Sequence, residues 1–133
     1  MAFDSGVILE LLSGSEEGKR VERFVEDNLD EILVNELNLE EVKYIVCRKA
    51  GEGKALEVIE TLKSSGYFTL IPFSQVSGEV YKIKCKYPIS LADVTTIATA
   101  KAFGLKALFR REKELEPFKA ELNVIFTDEL PHV

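Results

Sequence analysis

Apolar residues recur three or four positions apart in several segments of the chain, which is the pattern of amphipathic helices. In the first segment Val7 and Leu11 share one helical face, and Gly14 follows as a stop signal. Ser90 and Asn38 are residue types that cap helix starts, and each precedes another such segment. The helices predicted in this way cover residues 7–12, 19–29, 39–46, 55–62, 90–103 and, as a short last one, 112–119.

Short apolar runs separate these helices, and we predict a buried strand at each run. The runs cover residues 1–3, 32–34, 67–71, 106–109 and 122–126. Each is continuous rather than alternating with polar residues, which is typical of parallel strands covered on both faces. Helices that alternate with such strands predict a three-layer α/β/α domain. Because no repeat, low-complexity run or linker interrupts the pattern, we expect a single domain over residues 1–133.

The segment before Pro88 carries two conflicting patterns. Polar and apolar residues alternate from Tyr81 to Tyr87, which favours a half-exposed strand. Val76, Val80 and Ile83, however, fall on one face of a helix. The local pattern by itself favours the strand.

Composition narrows the possible functions only slightly. The 133 residues are 46% hydrophobic and 30% charged, as in ordinary globular domains. A net charge of −6 argues against a protein that coats nucleic acid through general electrostatics. It does not argue against a metal-dependent nuclease, because such an enzyme needs local negative charge to hold its cations.

Rare residue types disfavour several kinds of site. Cys47 and Cys85 match no metal-binding spacing, so we expect two reduced, buried thiols, with a single disulfide as the alternative. His132 is the sole histidine, which disfavours histidine acid–base chemistry and His/Cys zinc sites. No segment approaches the roughly 20 apolar residues of a membrane span, and the start of the chain lacks a signal pattern. We therefore expect a cytoplasmic protein.

The candidate functional residues are acids. In open parallel sheets, sites form beyond the carboxyl ends of the strands, and Asp4 directly follows the first apolar run. Asp93 and Glu41 fall in the first turns of two predicted helices, where the helix dipole favours their charged forms. Each acid also has a plainer interpretation, since Asp4 can be an N-cap and the other two stand at capping-box spacing. Glu40 is as plausible as Glu41 on spacing alone.

Several common catalytic motifs are missing from the sequence. It has no P-loop, GxGxxG, GxSxG or HExxH pattern, so cofactor-dependent redox and serine-hydrolase chemistry lack support. Clustered carboxylates instead suit hard cations and phosphoryl transfer. Acids that converge from distant positions repel one another, so a cluster takes up protons or binds a cation such as Mg²⁺ or Mn²⁺.

Two of the acids lie in segments that resemble motifs of PIN domains. Residues 3–9 (FDSGVIL) look like the opening of that family, in which a strand ends in an aspartate followed by a small hydroxyl residue. Residues 37–44 (LNLEEVKY) are similar to its second motif, where the acid directly precedes a hydrophobic residue and a tyrosine-containing helix. The register of this resemblance selects Glu41 over Glu40.

A third segment matches the family best. It consists of residues 89–93 (ISLAD) and continues through residues 97–101 (IATAK) to Gly104. The resemblance implies a three-layer fold with a five-stranded, mostly parallel central sheet. It also implies a helix over residues 74–86, against the local alternation.

The chain departs from the family at the fourth acidic motif. PIN domains usually have Thr-x-Asp after the following strand, whereas residues 109–114 read FRREKE. Glu112 is the nearest equivalent of the aspartate, and Glu114 is the fallback. Because the usual threonine and aspartate are missing, this departure bears on whether a fourth metal ligand is present and on the activity that depends on it.

The resemblance implies catalysis with bound Mg²⁺ or Mn²⁺. Asp4 and Asp93 would contact the metal, directly or through water, and Glu41 and Glu112 would help to hold it and position water. The side chains expected to support these acids through hydrogen bonds are Ser5 and Thr96.

Small proteins of this family are similar to the VapC toxins of VapBC toxin–antitoxin pairs. That similarity implies an endoribonuclease that acts on RNA, a small antitoxin protein as partner, and a homodimer. Arg110 and Arg111 are candidate contacts for RNA phosphate, and so is the row Lys82, Lys84 and Lys86, which is more simply interpreted as solvated charge.

Two other functions remain open on the sequence. A catalytically impaired PIN-like domain that works through protein contacts is favoured by the altered motif at Glu112. A phosphoacceptor receiver domain is a weaker alternative, because Asp4 lacks the adjacent acid that such domains need.

Overall fold

A computed structural model describes residues 1–131, without the side chain of residue 30, so His132 lies outside the described residues. It contains five strands and six α-helices, which alternate much as the hydrophobic pattern predicts. The strands are β1 (Ala2–Phe3), β2 (Leu33–Asn35), β3 (Thr69–Ile71), β4 (Ala107–Phe109) and β5 (Val124–Phe126). The helices are α1 (Ser5–Ser13), α2 (Glu16–Asp27), α3 (Glu36–Ala50), α4 (Glu52–Ser64), α5 (Phe73–Lys86) and α6 (Leu91–Ala102).

All five strands are parallel and form one sheet in the order β3-β2-β1-β4-β5. Phe3 of β1 pairs with Leu108 of β4 in the centre of the sheet. The chain winds outward from β1 to β3, then crosses back and continues through β4 to β5. The strand order therefore reverses between β1 and β4, and their carboxyl ends border the crevice where open α/β sheets bind ligands.

Successive strand residues point to opposite faces, and each face has its own hydrophobic core. Ala2 and Phe109 belong to the core that α5 and α6 cover. Phe3, Val34 and Leu108 belong to the core that α1, α2, α3 and α4 cover. This arrangement confirms the expected three-layer α/β/α fold.

The ambiguous segment before Pro88 is helical, as the family resemblance implied and the local alternation did not. Val76, Val80 and Ile83 of α5 are buried against the core beneath α6. A strand would expose part of this apolar face, so tertiary burial decides in favour of the helix.

Two local predictions are wrong. The helix α3 begins at Glu36 with Asn35 as its cap, and Asn38 lies fully buried inside the helix. Glu41 is therefore in the second turn and not in a capping box. Residues 112–119 contain only a short 3₁₀ turn, Glu116–Phe118. An α-helix that began at residue 112 would need a backbone N–H at Pro117, which proline lacks.

Both cysteines are free thiols, but the expectation that both are buried is wrong. Cys47 is partly buried and Cys85 is exposed on α5, on the side away from its apolar face. No disulfide joins them. Within residues 1–131, no helix combines the length and apolar character needed to cross a bilayer.

Candidate metal centre

Asp4 stands at the carboxyl end of β1 and is almost completely buried. Its backbone N–H donates to the carbonyl of Leu108 at 3.0 Å, which fixes it against β4. Its Oδ2 accepts a hydrogen bond from the backbone N–H of Gly6 at 3.2 Å, so Asp4 also caps α1. Asp4 is thus an N-cap, as the plainer interpretation holds. The capping hydrogen bond uses only one of its two carboxylate oxygens.

Asp93 reaches the same place from the first turn of α6. Ser90 caps that helix, with its Oγ accepting the backbone N–H of Asp93 at 3.2 Å. Because the serine performs the capping, the Asp93 carboxylate is free to point towards Asp4. The helix start holds this carboxylate near the positive end of the helix dipole.

Glu112 completes the group from the loop that follows β4. Asp4, Asp93 and Glu112 each offer a carboxylate oxygen, and these oxygens all lie within 4.8 Å of one another. Glu112 is half-buried, whereas Glu114 is exposed and outside the group. The altered fourth motif therefore still delivers an acid to the crevice.

Two of the acids in this crevice, Asp4 and Glu112, have a raised pKa. Burial is the main cause that raises the pKa of Asp4 to about 7, and the charges of Asp93 and Glu41 add to it. Burial, a hydrogen bond with Asp93 and the nearby charges raise the pKa of Glu112 to about 8. Without a counter-charge, the crevice thus holds protons that free carboxylates would release at neutral pH.

Glu41 lies at the edge of this cluster and not within the close triad. Ser5, the first residue of α1, donates its hydroxyl hydrogen to Glu41 Oε1. The charge of Glu41 raises the pKa of Asp4, which places it within electrostatic reach. Glu40 is exposed and faces a groove beside Lys43 and Lys63. Of the two neighbouring acids, Glu41 is the one brought to the crevice.

Two buried polar residues hold the helices around the acids. Thr96 of α6 donates to Asp4 Oδ1 at 3.3 Å. Asn38 of α3 donates to the carbonyl of Ala92 at 3.0 Å, next to Asp93, and its own Oδ1 is buried without a hydrogen-bond partner. The local sequence pattern predicts that Asn38 caps a helix. Its spacing from the buried Leu39 and Val42 was the signal that it faces inward.

The donor set fits a hard divalent cation. All three ligand atoms are carboxylate oxygens, the type that Mg²⁺ and Mn²⁺ prefer. Asp4 is buried with two more carboxylates close to it, so a bound cation would offset the charge that burial makes unfavourable. Asp4, Asp93 and Glu112 are the residues that would hold the ion.

A cavity in another part of the molecule lies away from the acids. It measures about 560 Å³ and is lined by the carboxyl-terminal halves of α5 and α6 and by residues just before β4 and β5. Ile83, Ile97, Leu105 and Leu122 are among the lining residues. These residues border the amino ends of the strands, the opposite edge of the sheet from Asp4. This cavity therefore takes no part in the acidic site.

Comparison with solved structures finds the same fold in several proteins, among them a toxin–antitoxin complex and a toxin. A toxin–antitoxin complex from Klebsiella pneumoniae aligns with a TM-score of 0.69 and 18% identity, over 95% of this chain and 96% of that one. FitAcB from Neisseria gonorrhoeae gives 0.66 and 21%, over 97% and 99%. VapC20 from Mycobacterium tuberculosis, a toxin that cleaves the sarcin–ricin loop, gives 0.63 and 13%, over 79% and 84%. At these identities the likeness shows the fold alone.

Sequence comparison identifies the family. A search of curated proteins found no match. The model of the PIN domain matches residues 1–120, most of the chain, in agreement with the resemblance of the acidic motifs. This chain therefore belongs to the PIN domain family.

Proposed function

We propose that this chain is a Mg²⁺- or Mn²⁺-dependent endoribonuclease that hydrolyses RNA phosphodiester bonds. The observation that carries the proposal is the meeting of Asp4, Asp93 and Glu112, with ligand oxygens within 4.8 Å, at the switch point of the sheet. Membership of the PIN family and the VapC toxin among the structural neighbours support the same reaction.

The acids have two tasks in this proposal, which are to hold the cation and to activate the attacking water. Asp4, Asp93 and Glu112 hold the cation, and the chemistry that the cation supplies is activation of water and neutralisation of charge developing on the phosphate. Glu41, held by the Ser5 hydroxyl at the edge of the cluster, orients the attacking water and accepts its proton. Thr96 and the capping interaction of Gly6 keep the Asp4 carboxylate in one orientation.

The biological setting proposed is a toxin–antitoxin pair in the cytoplasm. A toxin–antitoxin complex shares the fold over nearly the whole chain. A small antitoxin protein would then cover the acidic crevice, and the toxin would act as a homodimer.

A non-catalytic interaction module is the competing function, and the altered fourth motif was its main support. Glu112 meets Asp4 and Asp93, so this chain retains three close carboxylates despite the change. That observation favours the enzyme.

The test is cleavage of single-stranded RNA by the purified chain, freed of any bound partner, with Mg²⁺, with Mn²⁺ and with EDTA. We expect metal-dependent cleavage, and a loss of about 100-fold or more, equivalent to about 2.7 kcal/mol, in Asp4→Asn, Asp93→Asn and Glu112→Gln. Acids close by in the sequence serve as matched controls. Glu114→Gln should keep most of the activity that Glu112→Gln loses, and Glu40→Gln should keep most of the activity that Glu41→Gln loses.

Two outcomes count against the proposal. Robust metal-dependent cleavage that survives both Asp4→Asn and Asp93→Asn would show that another site performs the reaction. A folded chain that cleaves nothing with either metal, yet co-purifies with a protein partner, would favour the interaction module.

A further inference from the structure

Arg110 lies directly beside the acidic crevice. It follows β4 at the same sheet edge as Asp4, and its stem packs against Gly6. A methyl group built on Gly6 would sit 3.6 Å from Arg110 Cδ and 3.3 Å from Asp4 Oδ2. The arginine stem and the Asp4 carboxylate therefore flank the same point of the backbone.

The Arg110 head group is held through its Nε. Its Nε lies 3.2 Å from Glu10 Oε2, and the Glu10 side chain is only 14% exposed. The other oxygen of Glu10 accepts the hydroxyl hydrogen of Ser15, the residue that caps α2. Within residues 1–131 no partner is found for the two terminal nitrogens of Arg110, whose side chain is 55% exposed.

The neighbouring arginine is bound quite differently. Arg111 donates to both oxygens of Asp128, at 2.6 and 2.9 Å, and to Glu116 at 3.2 Å. Its guanidinium also stacks over the ring of Phe126, 4.5 Å from the centroid. Arg111 thus ties the segment after β5 to the loop after β4, and its donors are used inside the protein.

We propose that Arg110 binds a phosphate of the RNA next to the scissile one and that Glu10 is the residue that positions it. The terminal nitrogens of arginine form a fork that fits two phosphate oxygens, and a fork fixed through Nε keeps that geometry available. The chain carries a net charge of −6 and its crevice is acidic, so a polyanion needs a cation at the entrance. This inference rests on the proposed function, because it assumes an RNA substrate.

RNA binding is measured apart from cleavage, so that failure of the Arg110 contact can be distinguished from failure of the proposed ribonuclease function. Wild type and variants are titrated with a fluorescent single-stranded RNA in EDTA, at several salt concentrations. For Arg110→Ala we expect about tenfold weaker binding and a salt slope reduced by about 0.7, the value for one lost phosphate contact on a single strand. Arg110→Lys should keep the slope, because the charge remains, while binding less tightly than wild type.

Glu10 supplies the sharper test, because the two explanations predict opposite changes in RNA affinity when its side chain is removed. Removal of an acid near the RNA path should tighten binding if only general electrostatics matters. If Glu10 positions Arg110, then Glu10→Ala weakens binding severalfold. Exposed residues elsewhere serve as matched controls: Glu26→Ala should bind as wild type or slightly tighter, and Arg48→Ala should keep at least most of the affinity.

Unchanged affinity and salt slope in Arg110→Ala would overturn the phosphate contact, even if metal-dependent cleavage is found. Glu10→Ala that binds as tightly as Glu26→Ala would overturn the positioning role. Weaker binding in both Arg110→Ala and Glu10→Ala would support the inference even if no cleavage is observed. Thermal unfolding of each variant checks that a loss of binding is not a loss of fold.

Discussion

The hydroxyl of Thr96 donates a hydrogen bond of 3.3 Å to Asp4 Oδ1, joining the middle of α6 to the end of β1. Both residues are almost completely buried. Asp4 also accepts the N–H of Gly6 on its other oxygen, so the two hydrogen bonds fix the plane of the carboxylate. Ligands held in this way bind metal with less loss of side-chain freedom.

Removing the Thr96 hydroxyl should therefore weaken metal binding without changing the ligand set. We expect Thr96→Val to lower the affinity for Mn²⁺ about tenfold, measured by isothermal titration calorimetry. Thr96→Ser keeps the hydroxyl and should bind nearly as wild type. Thr95→Val is the control, since Thr95 donates within its own helix to Leu91 at 2.8 Å. Equal affinities in all three variants would contradict an orienting role for Thr96.

Divalent metal should stabilise the fold. A ligand bound only by the folded state at about 100 times its Kd raises the free energy of unfolding by about 2.7 kcal/mol. We expect Mn²⁺ to raise the Tm of wild type and of Glu114→Gln, and EDTA to reverse the effect. Asp93→Asn should lose most of this rise. A Tm that Mn²⁺ leaves unchanged in wild type would rule out tight binding.

The metal-free protein should lose stability as pH rises. The pKa of Asp4 is raised from 3.8 to about 7, so between these values the folded chain keeps a proton that the unfolded chain releases. This group's contribution is fully present below about pH 4 and is lost as pH rises through about 7, amounting to up to about 4 kcal/mol. Glu112, with its pKa raised to about 8, acts in the same direction.

The measurement is urea unfolding in EDTA at about pH 5 and about pH 8, for wild type and Asp4→Asn. The pKa of Asp128 is lowered by Arg111, so the contribution of this exposed pair is lost only below about pH 4 and stays constant over the measured range. We expect Asp4→Asn to gain stability relative to wild type at the higher pH. A difference that stays constant with pH would contradict the raised pKa.

Two glycines offer a matched test of the α1–α2 packing that holds Glu10 in place. A methyl group at Gly18 would lie 2.2 Å from the backbone oxygen of Glu10, whereas one at Gly78 would meet nothing within 4 Å. We expect Gly18→Ala to lower the free energy of unfolding by about 1–3 kcal/mol through overpacking. Gly78→Ala, inside α5, should raise it by about 0.5–1 kcal/mol. Equal urea midpoints for the two variants would contradict this contact.

Hydrophobic periodicity was a good guide to the elements where one pattern dominated. The predicted strand over residues 106–109 corresponds to β4, and Ser90 does cap α6. The predictions were wrong where the local sequence was compatible with two different structures. Asn38 has the side chain of a cap but is buried within α3, and α5 alternates like a strand yet packs as a helix. In both cases burial against another layer outweighed the local preference.

For the candidate site, too, the sequence predicted some features and only the structure showed the others. The sequence by itself placed Asp4 directly after an apolar run and Asp93 in the first turn of a helix, and so it pointed to both acids. It did not determine that Glu112 meets them, because that contact depends on β4 lying beside β1, a strand order that no local pattern encodes. It also gave no sign that Glu10 holds Arg110. The family resemblance named Thr96 as a supporting residue, but only the structure shows that Asp4 is the acid it contacts. Such contacts exist only once two cores are packed on opposite faces of one sheet, since that packing fixes the distances between residues far apart in the chain.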